Sequence, residues 1–129
     1  MRIKRILLTL VCVLGVSALW AQANAPQIKF DTLEYDFGKV PHKSSEVQCT
    51  FAFTNTGTAP LVIIKSVTSC SCTKVTTPKK PIMPGQKGEL TVIYEPNKKE
   101  SGVFYKAIDI YANTSEKRHT IVVKGNAVE

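Results

Sequence analysis

Val47 to Asn55 reads VQCTFAFTN and alternates with a period of two. Val47, Cys49, Phe51 and Phe53 fall on one side, with Gln48, Thr50 and Thr54 on the other. On a helix, residues two apart do not share a face. Only a half-buried strand sends all four apolar side chains into one core. Turn residues Asn55-Thr56-Gly57 follow, and Leu61 to Val67 is then nearly continuous apolar, as in a strand near the middle of a sandwich. Lys65 interrupts that run and marks a change of facing at a bulge. Folding the two strands into a hairpin about Thr58 sets residue 70 opposite 46 and residue 49 opposite 67. The stretch ends in Cys70-Ser71-Cys72, the one place where two thiols lie close in sequence.

The same grammar runs through the rest of the chain. Ile28 to Phe30 and Leu33 to Val40 are short strands, the second punctuated by Gly38 and Pro41. Cys72 to Thr76 leans to β. Thr77 to Gly88 carries Pro78, Pro81, Pro84 and Gly85 and is a loop, with Pro84-Gly85 suited to a turn whose second central residue has positive φ. Leu90, Val92 and Tyr94 alternate. Phe104, Ile108 and Ile110 share a face on which Lys106 is the exception. Thr120 to Lys124 is the last strand, closed by Gly125. About seven strands at roughly ten-residue spacing, without helical periodicity, predict an all-β, immunoglobulin-like two-sheet sandwich.

The N-terminus reads differently. Arg2, Lys4 and Arg5 precede an apolar run from Ile6 to Trp20, and Ala21-Gln22-Ala23 follows with small residues at the spacing of a cleavage site. This is the three-part layout of a helical secretory signal peptide. The run is shorter than the roughly 20 residues that span a bilayer. Residues 1–23 are assigned to the signal and 24–129 to the sandwich domain, with cleavage after Ala23 preferred to Ala25 because Pro26 would obstruct the second cut. Cys12 lacks the small residue expected before a lipidated cysteine and leaves with the signal. Removing the signal takes three of 17 basic residues and none of 10 acidic ones, so the net charge falls from +7 to +4. The pairs Lys79-Lys80, Lys98-Lys99 and Lys117-Arg118 are separated loop tips, not a continuous basic stripe with stacking aromatics, so no nucleic-acid partner is expected. An exported protein, periplasmic or extracellular and free of the membrane once cleaved, is the expectation.

Asp36-Phe37-Gly38, Phe51-x-Phe53-x-Asn55-x-Gly57, Pro60-Leu61, Ser69-Cys70-x-Cys72-Thr73 and Pro84-Gly85 occur in this order. The chain thereby resembles the family of bacterial secreted proteins known as domain of unknown function 1573, abundant in the Bacteroidetes and similar to the Hydin and major-sperm-protein type of immunoglobulin-like domain. The resemblance implies a fold and an export route and carries no settled activity. Two departures stand out: Ser71 occupies the place of a usual glycine, and Cys49 is additional. Asp36-Phe37-Gly38 is not the kinase metal-binding triplet, since no glycine-rich or catalytic loop accompanies it. Phe37 reads as a core plug and Gly38 as a turn. Asp31-Thr32-Leu33 resembles the short O-glycosylation signal of Bacteroidetes exported proteins, with Thr32 the acceptor.

Three cysteines remain after cleavage, an odd number for an exported protein. A structural bridge from Cys49 to Cys70 or Cys72 is open in the hairpin register and would close a loop of about 20 residues, worth about 3 kcal/mol. A Cys70–Cys72 bridge needs a turn at Ser71, because extended neighbours two apart sit about 6.6 Å apart. Alternatively, Cys70 and Cys72 as thiolates could hold a soft ion such as Cu(I), or zinc with further ligands; neither His42 nor His119 is tied to them by spacing. Thiol–disulfide catalysis favours C-x-x-C at a helix start. No catalytic residue set is assembled. The leading expectation is a non-enzymatic module binding a protein or cell-envelope partner, with copper binding and redox exchange as alternatives.

Overall fold

A computed structural model describes residues 24–96 and 100–129. The signal peptide, Cys12 and the Lys98-Lys99 pair lie outside these residues. Among the described residues eight strands form: β1 (Ile28–Phe30), β2 (Glu34–Pro41), β3 (Val47–Asn55), β4 (Ile63–Thr68), β5 (Thr73–Thr76), β6 (Lys87–Tyr94), β7 (Gly102–Ala112) and β8 (Arg118–Val128). They build two four-stranded sheets, ordered β1-β3-β6-β5 and β2-β8-β7-β4. All neighbours are antiparallel except β2 and β8. The all-β sandwich is as read from the sequence. The last strand runs beyond Gly125 to Val128, because Gly125 faces inward beneath the Phe104 ring and leaves the ladder unbroken.

The alternating residues decide the core. Phe51 and Phe53 of β3, Leu90 and Val92 of β6, Ile108 and Ile110 of β7, and Ile121 and Val123 of β8 are all fully buried. Each contributes about 2 kcal/mol by leaving water, so the two inner faces hold the sheets together. Lys65 sits where the β4–β7 register shifts, and beyond that bulge its ammonium lies 4.9 Å from the centre of the Tyr111 ring. Pro84-Gly85 forms the expected turn: Gly85 has φ +80°, and Gln86 N–H donates to Met83 O at 3.0 Å.

β3 and β4 are not a hairpin. β3 pairs with β1 and β6, whereas β4 pairs with β7 in the other sheet, so residues 56–62 carry the chain across the sandwich. Leu61 instead bridges to Ile82, with reciprocal backbone hydrogen bonds of 2.9 and 2.8 Å.

Candidate functional site

Of the motif residues shared with the resembling family, Asn55, Gly57 and Pro84-Gly85 gather at one end of the sandwich. Asn55 is fully buried. Its amide donates to Ala59 O at 2.8 Å and Ile82 O at 2.9 Å, and its carbonyl accepts from Gly57 N–H at 2.9 Å and Gln27 N–H at 3.4 Å. Its backbone carbonyl accepts from Gly85 N–H at 2.8 Å. One side chain thus ties the β3 exit, the entry segment and the proline loop. Gly57 has no room for a side chain, because Ala25–Gln27 crosses directly against it. Asp36 caps the Gly38 amide at 2.8 Å inside the β2 irregularity, where Gly38 takes φ +68°. Phe37 is half-buried, edge-on to Tyr35 and stacked near Tyr94. The ties of Asn55 and Gly57 give that end a structural role.

The opposite end carries the reactive groups. Cys70 and Cys72 form a disulfide with Cα atoms 5.1 Å apart. They sit in the crossing from β4 to β5, closed by Thr73 N–H donating to Cys70 O at 3.2 Å. That turn shortens the extended spacing. No non-glycine residue among those described has positive φ, so Ser71 replaces the usual glycine without left-handed strain. Cys72 packs against Val40, Tyr94, Phe104 and Ala127. Soft-metal binding would require the reduced pair, and among the described residues no group of three or more His, Cys, Asp or Glu could hold a metal ion.

The bridge that the hairpin register left open from Cys49 to Cys70 or Cys72 is not present. Cys49 is a free, buried thiol on the inner face of β3, opposite Val92. The physical reason is the crossing: residues 63–68 belong to the other sheet, so no hairpin register brings Cys49 to Cys70. Burial pushes its thiol up to about 11, and it packs as a small apolar side chain.

Beside the disulfide lies a network that the sequence signalled only through Lys106. Its ammonium, facing inward on β7, meets Glu100 at 2.8 Å, and Tyr94 O–H donates to the other Glu100 oxygen at 2.7 Å. Burial alone would raise the Glu100 carboxyl. Hydrogen bonds from Lys106 and Tyr94, with the charges of Lys106 and His42, outweigh that and hold it below its usual value. Burial first, and then the Glu100 hydrogen bond and charge, drive the Tyr94 hydroxyl well above its ordinary range.

Because the folded carboxyl is the stronger acid, its stabilisation is present above the ordinary value of 4.5 and is lost as pH falls through the lower folded value. The Lys106 and Glu100 side chains are 19% and 24% exposed, so solvent screens the pair only in part. Glu100→Gln is expected to cost about 1–2 kcal/mol at neutral pH and to flatten the acid limb of a urea-unfolding series. An unchanged acid limb would remove Glu100 from the account.

A third feature lies along the open side of the sandwich. β1 pairs with β3 only over Phe53–Asn55, extended by Asp31 N–H donating to Ala52 O at 3.0 Å. Backbone groups of alternate residues point the same way along a strand, so Gln48 and Thr50 turn their N–H and C=O toward that same edge. Among the described residues no strand pairs with β3 there. The edge opens on a cleft of about 340 Å³ lined by Tyr35, Gln48, Cys49 and Thr50. Both Gln48 and Thr50 are exposed, and Tyr35 is 40% exposed across the cleft on β2. Thr32 is exposed between β1 and β2, its hydroxyl donating to Glu34 O at 2.9 Å.

Comparison with known proteins follows the fold. The family described as "Protein of unknown function (DUF1573)" matches residues 28–127. No curated protein matches the sequence. A protein of unknown function from Porphyromonas gingivalis W83 is similar with a TM-score of 0.69 and 17% identity, over 82% of this chain and 50% of its own. The periplasmic chaperone SfaE is similar with a TM-score of 0.59 and 13% identity, over 80% of this chain and 58% of its own. PapD-like domain 7 of human CEP192 is similar with a TM-score of 0.57 and 10% identity, over 84% of this chain and 90% of its own. This chain therefore spans half the length of the Porphyromonas protein, and identities this low express a shared fold.

Proposed function

The chain belongs to the DUF1573 family of proteins of unknown function, and on that premise we propose that it is an exported, non-enzymatic binding module of the cell envelope whose partner adds an extended strand to β3. One observation carries this reading: β1 stops short and leaves the Gln48 and Thr50 backbone groups facing an open cleft. An incoming strand along that edge would gain up to four main-chain hydrogen bonds from these two residues, and alternate side chains would enter the cleft against Tyr35. Affinity would come from the backbone and selectivity from the cleft. The immunoglobulin-like fold, shared with a periplasmic chaperone and a PapD-like domain, is compatible with such use.

The test is selection of peptides from a random display library on the folded domain. Extended peptides with alternating apolar positions are expected, binding at least tenfold more weakly to Thr50→Lys, since a lysine on an open edge opposes pairing. Peptides indifferent to that change, or no enrichment at all, would sink the proposal.

A further inference from the structure

We propose that Cys70–Cys72 is a reversible thiol-exchange site that accepts electrons from a dithiol, and not a structural staple. This goes beyond the binding reading and does not depend on it. A bridge between residues two apart barely restricts the unfolded chain, because those residues are already neighbours there. The turn also has other closures. Thr73 N–H and the Thr68 hydroxyl both donate to Cys70 O, at 3.2 and 3.1 Å, and Glu95 N–H donates to Cys72 O at 2.8 Å. None of these needs the sulfur–sulfur bond, so the loop has a frame that outlasts it.

The two sulfurs are not equivalent. The Cys72 N–H points at Cys70 Sγ, 3.2 Å away. A donor there favours negative charge on Cys70, making it the better leaving group. Cys72 packs against the aromatic cluster, with the Thr73 hydroxyl 3.7 Å from its Sγ. Both cysteines are partly exposed, with Ser71 exposed at the tip between them.

A thiolate of the dithiol attacks Cys72 Sγ, the Cys70–Cys72 bond breaks, and its electron pair leaves on Cys70 Sγ beneath the Cys72 N–H. The second thiol of the reductant, as thiolate, attacks its own sulfur in the mixed disulfide and expels Cys72 as thiolate. The reductant is oxidised to a disulfide. Cys70 and Cys72 receive two electrons and, on protonation, two protons. The buried Cys49 takes no part.

The folded protein is treated with dithiothreitol or with reduced glutathione, without denaturant, and alkylated for intact and peptide mass measurement. Reduction at Cys70 and Cys72 with the strand signal of circular dichroism unchanged is expected, with Cys49 alkylated at least tenfold more slowly. Dithiothreitol, whose second thiol resolves the mixed disulfide, is expected to carry the reduction to completion, whereas glutathione is expected to leave its mixed disulfide on Cys72, and a mixed disulfide found on Cys70 would contradict the assignment. In the reduced protein at mildly acidic pH, Cys70 is expected to alkylate at least tenfold faster than Cys72, and equal rates would refute the asymmetry. A bond that yields only when guanidinium unfolds the domain, or a Cys70→Ser/Cys72→Ser variant that cannot fold, would overturn the proposal in favour of a staple.

Discussion

Asn55→Asp is expected to destabilise the domain by about 3–5 kcal/mol at neutral pH, more than any other single change of a polar side chain. The substitution keeps the shape, removes the two donors and puts a buried negative charge in their place. Ala59 O and Ile82 O would lose hydrogen bonds of 2.8 and 2.9 Å and face a buried carboxylate oxygen instead. The two donors to the surviving oxygen, from Gly57 and Gln27, are retained. Burial and the two carbonyls would raise the new carboxyl's folded pKa, so its protonated form restores one donor in acid. The loss should therefore shrink between neutral pH and about pH 4, which urea unfolding of both proteins measures. A cost under about 1 kcal/mol would mean that Asn55 is not the tie described here.

Gly57→Ala is expected to cost about 3 kcal/mol through a different mechanism. A Cβ there would stand 2.2 Å from Ala25 O, 2.5 Å from Gln27 N and 2.8 Å from the Pro26 carbonyl carbon. All three are backbone atoms, so no side chain can rotate away. The entry segment must detach and give up the Thr56–Gln27 and Thr58–Ala25 backbone hydrogen bonds and the Ala25 N–H bond to the Thr58 hydroxyl. At about 1 kcal/mol each, these give the stated cost. A melting temperature lower by roughly 10–20 °C is the measurable result. Gly38→Ala provides the contrast. A Cβ there meets nothing within 4 Å, and only its φ of +68° opposes the change, for about 1 kcal/mol.

What could be read from the chain was what depends on near neighbours. The period of two in β3 and the positive φ of Gly85 are local properties and stand as expected. Lys106 was visible as a polar intruder on an apolar face, but its partner Glu100 lies in a polar turn with no pattern pointing inward. The crossing between β3 and β4 was illegible for a related reason. A short turn between two apolar runs suits a hairpin and a sheet change equally well. The choice is made by the Asn55 amide reaching Ile82, 27 residues away, and by the Leu61–Ile82 bridge. A Cys49 bridge depends on the β3–β4 hairpin register, and with the two strands in different sheets Cys49 stays a free thiol. The Cys70–Cys72 bridge needed only the local turn at Ser71, and that turn formed.

The two ends of the sandwich divide the labour. One end is tied by Asn55, Gly57 and the Gly85 turn. The other holds the disulfide and the Tyr94–Glu100–Lys106 network. The open edge of β3 lies on the flank between them, and peptide pairing along it is the central claim. Residue-resolved amide hydrogen exchange tests it most directly. In the free domain, Gln48 and Thr50 should exchange quickly while Cys49 and Phe51, turned toward β6, exchange slowly. With a selected peptide bound, Gln48 and Thr50 should become protected at least tenfold. Fast exchange at both positions in the saturated complex would contradict the account.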